Sequence, residues 1–526
     1  MTMCRFEAYD EYMGGVTRNK VARVISGALS GYHGALLEIE ADMKSGLPGL
    51  QIVGMGNKAI DEARQRVRSA ITNSLLDFPA RKLTINLAPA ELPKDGTHLD
   101  LPIALTILIA SGQIKQRSVQ DTLFAGELAL NGSLRPIRGA VLLAELARKH
   151  GLKRIILPAH NTAQAQLVQG IEVVGINHLT ELYKGLKGVA PFPNSASSTP
   201  APPTPATSPV PASTPPLTID HVVGHSQAKR LLAIAAAGRH NVLLSGSPGA
   251  GKTLLAQCLV SLLPKLTPEE TVEVTKLYSL TAGNEGSIHT TPPFRAPHHG
   301  VTLSAFIGGG LRPRPGEISL AHKGVLLLDE LPEYPRTILE TLRQPLEERA
   351  VHLSRVYERI SYPADILLVA TMNPCPCGYY GDTHTRCSCS IQQITNYQKK
   401  ISGPLLDRID LRLVITKLNH EHFFDSKSLQ EKQHIKVLHS IIEARVIQKK
   451  RYNRSNFYNA YASMEQVKAH FFVSAQAKTL LSDASTKLSL TSRGYIRVLR
   501  VARTIADLAH SATVETAHIA EALQYR

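Results

Sequence analysis

The stretch Asn241–Thr253, NVLLSGSPGAGKT, decides how this chain folds. A short apolar run ends in a glycine-rich turn, and a helical pattern then runs from Leu254 to Leu263. Every fixed position of the phosphate-loop pattern is filled, from Gly246 through Ser247, Pro248, Gly249, Ala250 and Gly251 to Lys252 and Thr253. The glycines let backbone N–H groups face phosphates at a helix N-terminus, Lys252 reaches the β and γ phosphates, and Thr253 binds Mg²⁺. Downstream, GVLLLDE is an apolar strand ending in two carboxylates. Asp329 is placed to hold the magnesium and Glu330 to orient and deprotonate an attacking water. ATP and Mg²⁺ are therefore the expected ligands.

Working outward, NVLLSG, GVLLLDE and DILLVATMN read as strands separated by longer helical segments, as in a parallel sheet with crossover helices. Beyond about Lys417 strand signals fade, and amphipathic helical patterns such as IRVLRVARTIADLAH and VETAHIAEALQYR take over. Upstream, residues 190–217 carry Pro, Ser, Thr and Ala almost throughout and no charge, a composition that cannot bury a core and reads as a disordered linker. Before it, GLQIVG and KLTINLA alternate with helical stretches at Ile60–Ile71 and Val141–His150, a mixed α/β pattern. The expected organisation is an extension over 1–20, an α/β domain over 21–189, the linker, a P-loop core over 218–417 and a helical lid over 418–526.

The 526 residues hold 59 Lys and Arg against 43 Asp and Glu, a net charge of +16 that favours a polyanionic partner, nucleic acid or an anionic membrane surface. The apolar run Leu101–Ala110 is half of what a bilayer-spanning helix needs, so a soluble cytoplasmic protein without membrane contact is expected. Cys4 and Cys258 stand alone in sequence, which argues against a secreted disulfide framework.

Taken in order, GSPGAGKT, GVLLLDELPEY, ATMNPCPCG, SGPLLDRIDL and SRGYIRVLRVARTIADL resemble the AAA+ ATPases of the magnesium-chelatase-like group, and within it the YifB/ComM family, from Val21 onward. The resemblance implies that Asn373 is the sensor-1 residue near the γ-phosphate and that Arg408 is an arginine finger completing a neighbour's site. It implies that Arg493 is the sensor-2 arginine of the lid, with Arg497 as the alternative. A finger offered in trans implies a ring, hence a homo-hexamer. Read without the family, a surface ion pair of Arg408 with Asp407 or Asp410 is the competing reading.

The segments LTINLAPAELPKDGTHLDLPIAL and FAGELALNGSLRPIRGAVLLAELARKHGLKRIILP look like the proteolytic domain of Lon, an S5-like α/β fold shared with non-proteolytic relatives. Aligned by motif, the serine nucleophile position falls on His98 and the lysine position on Val141. Nucleophilic catalysis needs both a nucleophile and an activating base, so a non-proteolytic scaffold is expected. Gly54, Gly56 and Ala59 trace a dinucleotide fingerprint in outline, but the Lon-like resemblance assigns that stretch to an ordinary loop and helix.

Between the two nucleotide motifs, Arg295, His298, His299, Arg312, Arg314 and Lys323 crowd a Gly- and Pro-rich insertion. Basic loops of this kind suit a phosphate backbone, where contacts position without reading sequence; an idle charged surface with buried histidines is the competing reading. Arg493, Arg497, Arg500 and Arg503 recur on one helix face, some expected to face nucleotide and some a neighbouring subunit. QKKRYNR, Gln448–Arg454, reads as an exposed basic run with Tyr452 between charges, either a DNA contact or a solvated helix end.

Cys375, Cys377, Cys387 and Cys389 form two C-x-C pairs directly after Asn373. Four thiolates satisfy a closed tetrahedral Zn²⁺ site, although structural zinc sites prefer two to four residues between paired ligands, and His384 could replace one cysteine. A reduced, metal-free loop and a redox switch are the alternatives. Within the resemblance, the expected function is an ATP-driven ring motor, a helicase that moves branch points on single-stranded and branched DNA during homologous recombination in natural transformation. A chelatase-type motor remodelling a protein partner for metal insertion is the alternative, and an ATP-gated scaffold a third.

Overall fold

The computed structural model describes residues 21–54, 58–90, 94, 96–192, 217–310, 313–354, 359–382, 385–417 and 433–526, the side chains of 58–61 excepted. The extension 1–20 and nearly all of the expected linker therefore lie outside the described residues. The chain forms two compact units, one spanning residues 1–204 together with 279–287, the other the remainder. The small 279–287 segment was not separable by sequence from the P-loop core. It joins the first unit through contacts such as Gln164 Nε2, which donates to the carbonyls of Asn284 at 2.9 Å and Ser287 at 2.8 Å.

The first unit is built on strands β1 (Ala22–Ser30), β2 (His33–Lys44), β3 (Gly49–Val53), β4 (Lys82–Ala88), β5 (Thr122–Phe124), β6 (Arg154–Pro158) and β7 (Glu172–Ile176), in the order β3-β4-β2-β1-β5-β6-β7. The β1–β2 and β2–β4 pairs are antiparallel and the others parallel, a mixed sheet. β1 and β2 are joined by a two-residue turn in which Gly31 supplies φ +56°. Helices α1 (Lys58–Asn73) and α2 (Asp100–Ala110) share a core with Leu37, Ile39, Leu83 and Ile85. This accounts for the apolar run at Leu101: α2 is buried on every side, a core helix and not a membrane span. Helix α3 (Ala140–Lys149) comes so close to β1 that a Cβ on Gly27 would lie 2.6 Å from Leu143 and 2.8 Å from Leu146.

The second unit carries a five-stranded sheet of β8 (Val242–Gly246), β9 (Phe294–Arg295), β10 (Val325–Leu328), β11 (Leu367–Met372) and β12 (Leu411–Ile415), ordered β9-β10-β11-β8-β12 and parallel throughout. Its strands read as continuous apolar runs because both faces are covered. Val242, Leu244, Val325, Leu327, Leu367 and Val369 face α4 (Ser226–Gly238), α5 (Lys252–Ser261) and the C-terminal helices. Leu243, Leu326, Leu328, Leu368 and Ala370 pack against Phe306, Ile318, Ile338 and Leu339 on the other side.

The C-terminal part is helical, as expected, with α6 (Gln433–Tyr452), α7 (Ser492–Leu508) and α8 (Thr516–Gln524) as its main members. Its centre is polar. Fully buried Asp507 accepts from Arg451 at 2.7 Å, Arg503 at 3.1 Å and Asn459 at 2.8 Å. The reading of Gln448–Arg454 as an exposed basic run is therefore corrected in part. Tyr452 is buried with its hydroxyl 2.8 Å from Asn459 Oδ1 and Arg451 is spent on Asp507, whereas Lys449, Lys450 and Arg454 are exposed. Removing one partner of a buried ion cluster leaves the others uncompensated. Asp507→Ala is expected to cost about 3–5 kcal/mol in urea unfolding of the second unit; a loss under about 0.5 kcal/mol, the size of an ordinary surface substitution, would contradict this role.

Candidate functional site

In open α/β sheets ligands bind beyond the carboxyl ends of the strands, where the strand order reverses. Here β8, β10 and β11 end together, and their last residues carry the motifs read from sequence. The turn after β8 has Gly249 at φ +78° and Gly251 at φ +82°, left-handed conformations that favour glycine. Gly246 is required for a different reason: a Cβ there would lie 2.2 Å from the carbonyl oxygen of Ile415 on β12.

The turn delivers Lys252 to the first turn of α5, where its ammonium donates to the carbonyls of Gly246 at 2.8 Å and Ser247 at 3.0 Å, and to Asn373 Oδ1 at 3.0 Å. Burial lowers the Lys252 pKa from its ordinary value, and the Asp329 and Glu330 carboxylates oppose that shift. Thr253 donates its hydroxyl to Asp329 at 3.1 Å. Asp329 and Glu330 follow β10 directly, and Glu330 turns the chain with φ +55°.

Sequence reasoning missed Thr371. Its hydroxyl is hydrogen-bonded to Asp329 and accepts from the Glu330 N–H at 3.0 Å, so one buried side chain fixes both acidic positions. The available signal was its spacing: Thr371 is a polar residue in the apolar strand, two positions before Asn373. Tyr334 also reaches this region. Burial and the nearby Asp329 charge push its phenol well above the ordinary tyrosine range, and it donates to the Pro297 carbonyl at 2.5 Å.

Arg408 and Arg493 lie elsewhere on the unit. Both meet Glu347, Arg408 in a close ion pair and Arg493 at 3.9 Å, beside a cavity of about 270 Å³ that Arg239, Asp365 and Arg497 also line. Lys252, Thr253 and Asn373 do not line it. Arg408 thus pairs with Glu347 and not with Asp407 or Asp410, and it also donates to the Pro404 carbonyl at 2.8 Å. Of the other arginines of α7, Arg497 and Arg500 line that same cavity, whereas the fully buried Arg503 is spent on Asp507 and faces neither nucleotide nor a neighbour. Arg497 donates to Ile409 O at 3.1 Å, Arg500 to Ala462 O at 2.8 Å and Arg503 to Asp507, all within the unit.

The basic insertion divides as well. Lys323 is buried against Asp365 at 2.9 Å, so it is no part of a solvent-facing basic surface. Arg295 makes a two-pronged ion pair with Glu317 at 2.6 Å. Arg312 lies outside the described residues. Arg314 and His298 are exposed, and the rings of His298 and His299 lie with centres 3.9 Å apart, tilted by 36°. In the first unit His98 is buried with Nε2 2.8 Å from the Gly27 carbonyl, and Val141 is fully buried. Gly54, at φ +114°, packs against the Leu87 backbone, while Gly56 and the Ala59 side chain lie outside the described residues.

The four clustered cysteines come together. Their sulfurs all lie within 4.8 Å of one another, with Cys375–Cys377 at 3.4 Å, Cys375–Cys387 at 3.7 Å and Cys377–Cys387 at 3.5 Å. A tetrahedral zinc with Zn–S bonds of about 2.3 Å requires sulfur–sulfur edges of about 3.8 Å. Backbone N–H groups point at the sulfurs: Tyr380 at Cys375 (3.3 Å), Cys377 at Cys389 (3.4 Å) and Cys389 at Cys387 (3.4 Å). Such donors stabilise thiolate charge. His384 lies outside the described residues.

Residues 218–423 match the family described as magnesium chelatase, subunit ChlI; residues 431–526 match its C-terminal model, and residues 39–161 a further model for the same subunit of Mg-chelatase. The chain is 40% identical to competence protein ComM of Haemophilus influenzae over 96% of its own length and 97% of that protein's. It is 39% identical to YifB of Escherichia coli over 95% and 96% respectively. A 165-residue region is 29% identical to Lon protease of Mycolicibacterium smegmatis, covering 29% of this chain and 21% of the protease.

Because Lys323 neutralises a buried carboxylate, Lys323→Met is expected to lower the stability of the second unit by about 1–3 kcal/mol, Arg239 remaining beside Asp365. Urea unfolding measures it, and an unchanged midpoint would return Lys323 to the surface reading.

Proposed function

The chain belongs to the YifB/ComM family of magnesium-chelatase-like AAA+ proteins, with a Lon-like N-terminal region, and from that premise we propose that it is an ATPase: a hexameric ring motor that moves branch points on DNA and promotes recombination during natural transformation. The observation that carries the ATPase reading is the convergence of Lys252, Asn373, Thr253 and Asp329 at the ends of three parallel strands. The DNA reading rests on the competence name of a relative matched from end to end, on the +16 charge, and on exposed Arg314 and His298.

In the proposed reaction the backbone N–H groups of 246–251 and the Lys252 ammonium take the phosphates, exchanging the contacts Lys252 makes with two carbonyls and Asn373. Thr253 and Asp329 would hold magnesium, which neutralises phosphate charge. Glu330, with its backbone fixed by Thr371, orients the attacking water and accepts its proton. Asn373, which accepts from the Lys252 ammonium, reports the γ-phosphate. Arg408 and Arg493, grouped around Glu347 in a separate cavity, serve the nucleotide of a neighbouring subunit. The four cysteines take a structural zinc ion whose positions are all filled by protein, so it activates no water. The Lon-like region, with His98 and Val141 at the dyad positions, acts in assembly or DNA handling and cleaves no peptide.

Lys252→Ala and Glu330→Gln are expected to reduce ATP turnover at least about 100-fold, with Glu330→Gln still binding ATP; retained turnover in Glu330→Gln would remove the base assignment. Adding single-stranded or forked DNA to the intact chain is expected to raise turnover. DNA affinity should fall steeply with salt, and Arg314→Ala should reduce the salt slope by about 1. If DNA leaves both turnover and assembly unchanged while a protein client alters them, the chelatase-type reading takes its place.

A further inference from the structure

The segment from Cys375 to Cys389 leaves the end of β11 two residues after Asn373, and little apolar surface holds it. Among its described residues only Cys375 and Gly378 are buried. What fixes it is the sulfur cluster at its centre and a few polar ties. Ser390 caps the helix Ile391–Gln398, and Gln398 Nε2 at the end of that helix returns to the Pro374 carbonyl at 3.1 Å. A loop without its own core owes its conformation to whatever occupies its ligands, because the binding energy of a structural metal is also the folding energy of its site.

This loop rests on the nucleotide site. Gly378, at φ +87°, is so close to the phosphate loop that a Cβ there would lie 2.6 Å from Pro248 Cδ, with Asn373 Cγ at 3.9 Å. Pro248 lies inside the phosphate-binding turn, and Asn373 accepts from the Lys252 ammonium. The Gly378 N–H donates to the Cys375 carbonyl at 3.0 Å, so the residue touching the phosphate loop is hydrogen-bonded to the backbone of a metal-ligand position. The sulfur cluster, Cys375, Gly378 and Pro248 form one short chain of contacts.

We propose that zinc in the four-cysteine loop acts as a brace for the phosphate loop, so that metal and nucleotide bind cooperatively to one chain. The proposal rests on the zinc reading and on the phosphate-loop reading given above, and it assigns to that zinc a regulatory consequence. With the metal bound, Gly378 is held against Pro248 and Asn373 is held toward Lys252. With the metal removed, the loop loses its centre, and nucleotide must order it again at the cost of affinity. Linkage is reciprocal, so bound nucleotide must retain zinc by the same factor.

The test uses the intact chain, purified without a histidine tag, and two readouts independent of turnover. Zinc content and its release to a colorimetric chelator are followed with and without ADP, and the affinity for a fluorescent ADP analogue is measured before and after chelation and after adding back ZnCl₂. The expected results are close to one zinc per chain, ADP affinity weakened at least about fivefold on chelation and restored by ZnCl₂, and the equilibrium share of zinc lost to the chelator lowered by ADP in line with the same factor in zinc affinity. Gly378→Ala, which keeps all four thiolates and crowds Pro248, should retain zinc and bind ADP less tightly. Absence of zinc, with none taken up from ZnCl₂, overturns the metal reading itself and the brace with it. Stoichiometric zinc with ADP affinity altered less than twofold by its removal, and zinc release indifferent to ADP, overturns the brace and leaves the metal site standing. Failure to bind ADP in the zinc-loaded chain would instead overturn the phosphate-loop reading.

Discussion

The hydrogen bond between Lys252 and Asn373 joins the two strand ends on which the candidate site depends. It exists because β8 and β11 are adjacent and parallel, with Ser245 paired to Met372, so that the phosphate-loop turn and the segment after β11 leave the sheet side by side. The third participant, β10, lies next to β11 and ends one residue before Asp329, which brings that carboxylate to Thr253 and Thr371. Apolar residues buried on both faces hold the three strands in register, and the polar groups are confined to the edge where the strands stop. Packing sets the geometry, and the chemistry is carried on its rim.

That division explains what was legible in the sequence. The phosphate loop, Asp329 and Glu330 were readable because their requirements are local: glycines at fixed spacing, a cation and a hydroxyl at a helix start, acids at the end of an apolar run. The mixed and parallel sheets were readable from the same apolar runs. Thr371 was not, since a threonine in a buried strand is common and its partners become evident only when β10 lies beside β11.

The basic residues show the opposite error. Lys323 and Arg451 were read as surface charge because their partners are distant in sequence: Asp365 is 42 positions from Lys323 and Asp507 is 56 from Arg451. A positive net charge does not say which cations are already neutralised inside the fold. The cysteine cluster was legible in composition but not in geometry, since one-residue spacing alone leaves open whether four sulfurs can converge.

The proposed motor has a site made in two places: Lys252, Asn373, Asp329 and Glu330 at the strand ends, and Arg408 with Arg493 around Glu347, beside a cavity those nucleotide-binding residues do not line. The account therefore requires two chains for one complete site. Mixing two inactive variants tests this most directly. Lys252→Ala lacks a working phosphate loop but keeps Arg408, and Arg408→Ala has the converse defect. The account predicts that each alone hydrolyses ATP at background and that an equimolar mixture recovers turnover, because Lys252→Ala chains supply the arginine to intact phosphate loops on their neighbours. Background turnover at every mixing ratio, in assemblies shown to contain both variants, would contradict it.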